Sequence, residues 1–66
     1  MVSYDKLWKL LIDKHMSKTD LRLAAGLTTT SLAQLGKNEH VSLKVIEKIC
    51  NVLDCDISDV VELRKD

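Results

Sequence analysis

The sequence lacks proline and phenylalanine, and among 66 residues it has only two glycines, two cysteines, one tryptophan and one tyrosine. Without proline or a low-complexity tract, the chain is expected to be ordered throughout. No apolar run approaches the ~20 residues of a membrane span, and the start lacks the basic tip and apolar block of a signal peptide. We therefore expect a cytoplasmic protein with no membrane partner.

The length allows one domain, residues 1–66, with a thin core that often needs a staple or a partner subunit. Cys50 and Cys55 have a spacing that suits neither a zinc knuckle nor a redox pair, and the two histidines add no metal-ligand spacing. We expect no metal and no cofactor. In a reducing compartment each cysteine is then a small buried hydrophobe.

The net charge is zero, which weakens the simplest argument for nucleic-acid binding. The charges are nevertheless unevenly distributed. Residues 1–40 carry six basic and four acidic side chains, whereas residues 41–66 carry four basic and six acidic ones. Contact between the acidic C-terminal end and a polyanion is unfavourable, but contact with another protein is not.

A first helix is predicted from Ser3 or Tyr4 to about His15, because apolar residues recur there at helical spacing. Trp8 lies within this stripe and is expected in the core. The alternative is a platform on which a base stacks. Such platforms usually come as aromatic sets, which this chain does not have.

A helix-turn-helix unit is predicted over residues 17–35. Ser17 is a suitable N-cap for a second helix over residues 18–25, and Gly26 supplies the left-handed residue that ends it. Thr28 caps the third helix. Lys18, in the first turn of the second helix, is a candidate phosphate ligand, since a helix N-terminus with a cation beside it attracts phosphate. The alternative is a solvated charge.

The third helix has two different faces. At about 100° per residue, Leu32 and Leu35 share one side, while Thr29, Thr30 and Gln34 share the other. Hydroxyls, methyls and an amide are the groups that read base edges in the major groove. The alternative is an ordinary solvated polar face.

The rest of the chain is also predicted to be helical. A polar turn over residues 36–40 contains Gly36 and Asn38, which both accept positive φ. Ser42 caps a fourth helix over residues 43–53. Ser58 and Asp59 start a fifth helix, which precedes a tail expected to fray. No stretch alternates with period two for long enough to predict a strand. The fold class is therefore all-α.

The whole pattern resembles the Cro-type helix-turn-helix domains of phage repressors and the XRE family of bacterial regulators. The resemblance covers nearly the whole chain. The matching parts are a first helix that ends at residues 14–16, the helix pair over residues 18–35, the polar loop, and the segment from Val41 to Val61 with its break between Leu53 and Ile57. The resemblance implies a compact five-helix, lambda-repressor-like DNA-binding domain.

The sequence departs from the family pattern in three ways, at four positions. Arg22 replaces a small alanine, so its stem is expected to lie along the surface with its guanidinium outward. Leu11 and Gly36 replace an Arg–Glu pair, which suggests that an apolar contact takes over from the ion pair. Val41 stands where the family often has proline.

Carried over by position, the resemblance implies that Thr29, Thr30 and Gln34 face base edges. Gln pairs bidentately with adenine and Thr methyls meet thymine methyls, so an operator half-site that contains A·T pairs is expected. Phosphate contacts are implied at Lys18, Thr28, Ser31, Lys37, Asn38, His40 and Lys44.

The resemblance also implies a homodimer on a palindromic double-stranded DNA operator, with half-sites about one helical turn apart. Ile57, Val60 and Leu63 are the candidate dimer surface. The alternative for these three residues is packing in the core of a single chain.

Two functions therefore compete. The first is a sequence-specific DNA-binding regulator, most simply a repressor. The second is a protein-interaction module, an antitoxin or adaptor built on the same fold. An enzyme is not expected, because no Ser or Cys has an identifiable His partner and the carboxylates are scattered. No small-molecule ligand is evident.

Overall fold

The computed structural model describes residues 1–65. Four α-helices, one 3-10 turn and a two-stranded sheet follow one another in the order β1 (Val2–Ser3), α1 (Asp5–Asp13), α2 (Lys18–Ala25), α3 (Thr29–Gly36), α4 (Leu43–Leu53), the 3-10 turn (Ile57–Asp59) and β2 (Glu62–Leu63). The all-α helix-turn-helix fold is confirmed. The longest helix has 11 residues, and no helix within residues 1–65 is long and apolar enough to cross a membrane.

Side-chain hydroxyls cap the N-termini of three helices, as the sequence predicts. The Ser17, Thr28 and Ser42 oxygens accept hydrogen bonds from the backbone N–H three residues further on, at 3.0, 3.0 and 3.3 Å. Each bond satisfies one of the N–H groups that a helix leaves unpaired at its start. The helix starts are therefore encoded locally.

All four helices end in the same way. Each is followed by one residue with positive φ, and the next N–H then bonds to a carbonyl in the last helical turn. The left-handed residues are His15, Gly26, Asn38 and Asp54. The corresponding hydrogen bonds run from Met16 to Leu11, Leu27 to Arg22, Glu39 to Gln34 and Cys55 to Cys50. Only one of the four positions uses glycine.

The core lies where α2 packs against α4, with α1 and the terminal segments closing it. Its fully buried side chains are Tyr4, Leu7, Leu21, Leu35, Ile49, Leu53 and Val60. In α2 the buried alanine is Ala25, whereas Ala24 is exposed. Trp8 is only half-buried at the edge of the core.

The chain termini differ from the sequence prediction. The fifth helical element is a single 3-10 turn, and β2 follows it and pairs antiparallel with β1, with Val2 opposite Leu63. Because Ser3 belongs to β1, α1 begins only at Asp5, whose N–H bonds to the Ser3 hydroxyl at 3.3 Å. The tail does not fray at Arg64, whose guanidinium lies 2.6 Å from the Asp5 carboxylate. Asp66 is outside the described residues.

Of the two residues in the polar turn that accept positive φ, Asn38 supplies the left-handed residue, whereas Gly36 lies in the last turn of α3. The suggested contact between Leu11 and Gly36 is wrong. Leu11 is buried in the core, whereas a Cβ placed at Gly36 would meet nothing within 4 Å. Gly36 therefore faces open space.

Cys50 and Cys55 are free thiols, each half-buried, at the end of α4. They occupy the two positions that often make an apolar contact at a helix end of this type. Burial, and to a smaller extent the neighbouring Cys50, raise the pKa of the Cys55 thiol to about 11. At neutral pH both chemistry and position fit the predicted role of small hydrophobes.

Candidate DNA-binding interface

The polar row of α3 faces solvent. Leu35, which is fully buried, and Leu27, in the turn before the helix, fix α3 against the core. Thr29 and Thr30 are exposed on the opposite side, and Gln34 is partly exposed. No other part of residues 1–65 covers the two threonines, so the row is accessible to a flat partner.

Thr28 and Ser31 are joined to each other at the start of α3. The Thr28 hydroxyl accepts the Ser31 N–H at 3.0 Å and donates to the Ser31 hydroxyl at 3.1 Å. Thr28 is therefore first of all a helix cap. In this arrangement the Ser31 hydroxyl keeps its own proton for a further acceptor.

The start of α2 is a capping box. Asp20 accepts the Ser17 N–H at 2.9 Å and donates its own N–H to the Ser17 hydroxyl at 3.0 Å. The backbone and side-chain hydrogen bonds to Ser17 lower the pKa of the Asp20 carboxyl. Lys18 is exposed beside this box, and its ammonium lies 4.4 Å from the centre of the Trp8 ring.

The loop after α3 is tied to the N-terminal segment. The Asn38 side-chain oxygen accepts the Tyr4 N–H at 3.2 Å, and the Tyr4 hydroxyl donates to the Glu39 carbonyl at 2.7 Å. Burial raises the pKa of Tyr4, and a backbone hydrogen bond from Val41 partly opposes this. The oxygen of Asn38 is thus used in the fold, which leaves its amide N–H groups for another acceptor.

The remaining predicted phosphate ligands are exposed. Lys37 follows α3 directly, and Lys44 lies in the first turn of α4. His40 is exposed too, but it lines an apolar groove beside Tyr4 and Val41. His40 therefore borders both solvent and the apolar groove.

The candidate dimer residues separate into two groups. Ile57 and Leu63 are 45% and 82% exposed, whereas Val60 is 0% exposed. Val60 is a core residue, so its assignment to a dimer surface was wrong and the packing alternative holds. Ile57 and Leu63 remain exposed to solvent because the 3-10 turn and β2 lie at the edge of the fold.

Leu43, which is not among the residues singled out from the sequence, is 75% exposed at the first position of α4. Together with Ile57 and Leu63, Leu43 lines the apolar groove that His40 also lines. The volume of this groove is about 200 Å³. The available signal was its place outside the buried periodicity of Ile46, Ile49 and Leu53. Residues 1–65 contain no group of three or more His, Cys, Asp or Glu side chains that could hold a metal.

A capped helix-turn-helix with an outward polar row on its second helix defines a class of DNA-binding proteins. The family described as the Cro/C1-type HTH DNA-binding domain matches residues 6–66, and the chain belongs to this family. This is the family that the resemblance in the sequence indicated.

Two relatives are similar over most of the chain. The uncharacterized HTH-type transcriptional regulator YozG of Bacillus subtilis (strain 168) is 36% identical over 59 residues, which cover 86% of this chain and 70% of YozG. The crystal structure of the transcriptional regulator VanUg, form II, is 56% identical and superposes with a TM-score of 0.91. That match covers 92% of this chain and 81% of VanUg.

Proposed function

We propose that the protein is a transcriptional repressor that binds a palindromic double-stranded DNA operator as a homodimer, with α3 of each subunit in the major groove. The observation that carries this proposal is the outward row of Thr29, Thr30 and Gln34, backed by the buried Leu35. It is supported by membership of the Cro/C1-type family and by two similar proteins named as transcriptional regulators. Its place of action is the cytoplasm, where an operator is accessible.

In this proposal α3 reads bases through short side chains. Gln34 bonds the N6 and N7 groups of an adenine, and the methyls of Thr29 and Thr30 contact thymine methyls. Ala33 is exposed between them and small enough to let the groove floor approach. The expected half-site therefore contains A·T pairs.

Phosphate contacts would fix the register of α3 in the groove. The exposed cations Lys18, Lys37 and Lys44 supply charge, and Ser31 and Asn38 supply neutral donors. Thr28 contributes through the cap that holds the start of α3. Because the net charge is zero, these few local contacts must supply the attraction, and binding should weaken steeply with salt.

The dimer surface in this proposal is the groove lined by Leu43, Ile57 and Leu63. These exposed side chains form an apolar surface around one groove, and burying them against a second copy removes that surface from water. Two recognition helices would then address half-sites about one turn apart. Because His40 lines this groove, its position suits a contact with the second copy as well as a contact with a phosphate.

A second function, a protein-interaction module, is favoured by the same apolar groove, which a different protein could cover. Selection of bound sequences from a random DNA pool separates the two. Recovery of a palindrome with binding that falls steeply with salt supports the repressor. A pool with no enrichment, and no gel shift even at low salt, would exclude DNA binding and leave the interaction module.

A further inference from the structure

The only tryptophan of the sequence is neither fully buried nor free on the surface. Trp8 packs against the edge of the core, and the Lys18 ammonium lies 4.4 Å from the centre of its ring. This distance is within the range of a cation–π interaction, in which the negative face of the ring attracts the cation. The ring therefore joins α1 to the first residue of α2.

This position needs an explanation, because a cation in the first turn of a helix is opposed by the positive end of the helix dipole. Asp20, the acidic residue of the same turn, is engaged with Ser17 in the capping box. Among residues 1–65, the partner that the structure gives the ammonium is the indole face. Folding alone gains little from a lysine here.

An aromatic partner has a different consequence from a carboxylate. A carboxylate would neutralise the ammonium, whereas the ring confines the flexible side chain and leaves its full charge. The N–H donors of Lys18 that do not point at the ring stay available for phosphate oxygens.

We propose that Trp8 is a positioning residue for DNA binding: its indole holds the Lys18 ammonium at the start of α2, where the ammonium meets a backbone phosphate. This inference rests on the proposed function. It gives Trp8 a role that is neither simple core packing nor stacking on a base. The ring contacts Lys18, and Lys18 contacts the DNA.

A double-mutant cycle on the full chain tests it, with a short mixed-sequence duplex as the probe because phosphate contacts do not depend on sequence. The four proteins are the wild type, Trp8→Leu, Lys18→Gln and the double variant. Trp8→Leu should weaken binding about two- to fivefold in the wild-type background and leave Lys18→Gln unchanged. Trp8→Phe keeps a ring and should lose less than Trp8→Leu.

The salt dependence provides a readout that a merely structural role would not move. Lys18→Gln should lower the slope of log K against log salt by about one phosphate contact. Trp8→Leu should lower it by a fraction of that amount. Each affinity is measured well below the melting temperature of its variant, so that loss of folded protein does not enter.

The proposal is overturned if Trp8→Leu weakens binding equally in both backgrounds, since the tryptophan then acts through packing alone. It is also overturned if Trp8→Leu binds the duplex like the wild type, or if Lys18→Gln does, although in the last case DNA binding itself stands. Failure of the wild type to shift any duplex at low salt would instead remove the proposed function, and this inference with it.

Discussion

Tyr4 and Glu39 join the N-terminal segment to the loop after α3: the buried phenol donates to the Glu39 carbonyl at 2.7 Å. A second bond, from the Tyr4 N–H to Asn38, fixes the same loop. The segment before α1 thus orders the loop that carries Lys37 and Asn38. A long-range contact of two residues therefore shapes the edge of the proposed DNA surface.

Replacing this phenol tests its contribution. Tyr4→Phe keeps the ring in the core and removes the hydroxyl, so we expect the free energy of unfolding to fall by about 1 kcal/mol. Urea denaturation measures the change, and hydrogen exchange of the loop amides should increase more than that of α4. If the free energy of unfolding is unchanged, the bond contributes nothing to stability.

High pH should destabilise the protein through Tyr4 and Cys55. Burial raises both pKa values, that of Cys55 from 9.0 to about 11 and that of Tyr4 above 10.0. The unfolded chain therefore ionises first and binds fewer protons, so stability is full below about pH 9 and falls as the pH rises toward 11. Urea titrations across this range should show a steeper fall for the wild type than for Tyr4→Phe/Cys55→Ala. Equal slopes would contradict the prediction.

The two glycines form a matched pair. Gly26 has a φ of +67° and Gly36 lies in a helix, and an added Cβ meets nothing within 4 Å at either position. Gly26→Ala should therefore cost about 1 kcal/mol through backbone strain alone. Gly36→Ala should instead stabilise by about 0.5–1 kcal/mol. Thermal unfolding of both variants measures the difference, and changes of the same sign would refute the assignment.

The base-reading assignment is tested at Gln34. On the sequence recovered from the random pool, Gln34→Ala should lose about 1–3 kcal/mol of binding free energy and relax the preference at one base pair. Lys37→Ala is the control, because loss of a phosphate contact weakens all sequences alike and flattens the salt dependence. Unaltered selectivity in Gln34→Ala would show that another residue reads the base.

The dimer surface is tested by placing charges on exposed leucines. Leu63→Asp puts a carboxylate into the groove beside Leu43 and Ile57, so we expect the sedimenting mass to fall to that of a monomer. Leu23 is 65% exposed on α2 and lines no part of this groove, which makes Leu23→Asp the matched control. If Leu63→Asp keeps the wild-type mass, the dimer lies elsewhere or does not form.

Local signals explain why much of this fold could be read from the sequence. Ser17, Thr28 and Ser42 cap helices with bonds that reach only three residues, and Gly26 needs no neighbour to accept a positive φ. The outward row of α3 follows from helical periodicity. Such features depend on short stretches of chain.

The missed features depend on distant or unfavourable residues. The β1–β2 pair joins residues about sixty positions apart with two residues per strand, too few for an alternating pattern. Val60 is fully buried, whereas its sequence context left core packing and a dimer surface as alternatives. His15 takes positive φ although its side chain disfavours it, since the helix-end hydrogen bonds outweigh the local preference.

The left-handed helix ends have a consequence for the lifetime of the protein. His15, Asn38 and Asp54 have positive φ. This conformation costs more free energy for His15 than for the other two, and more for all three than for glycine. In so small a domain these penalties are a sizeable share of the total stability. Proteases cleave the opened fraction of molecules, so three φ angles help to set how quickly the chain is degraded.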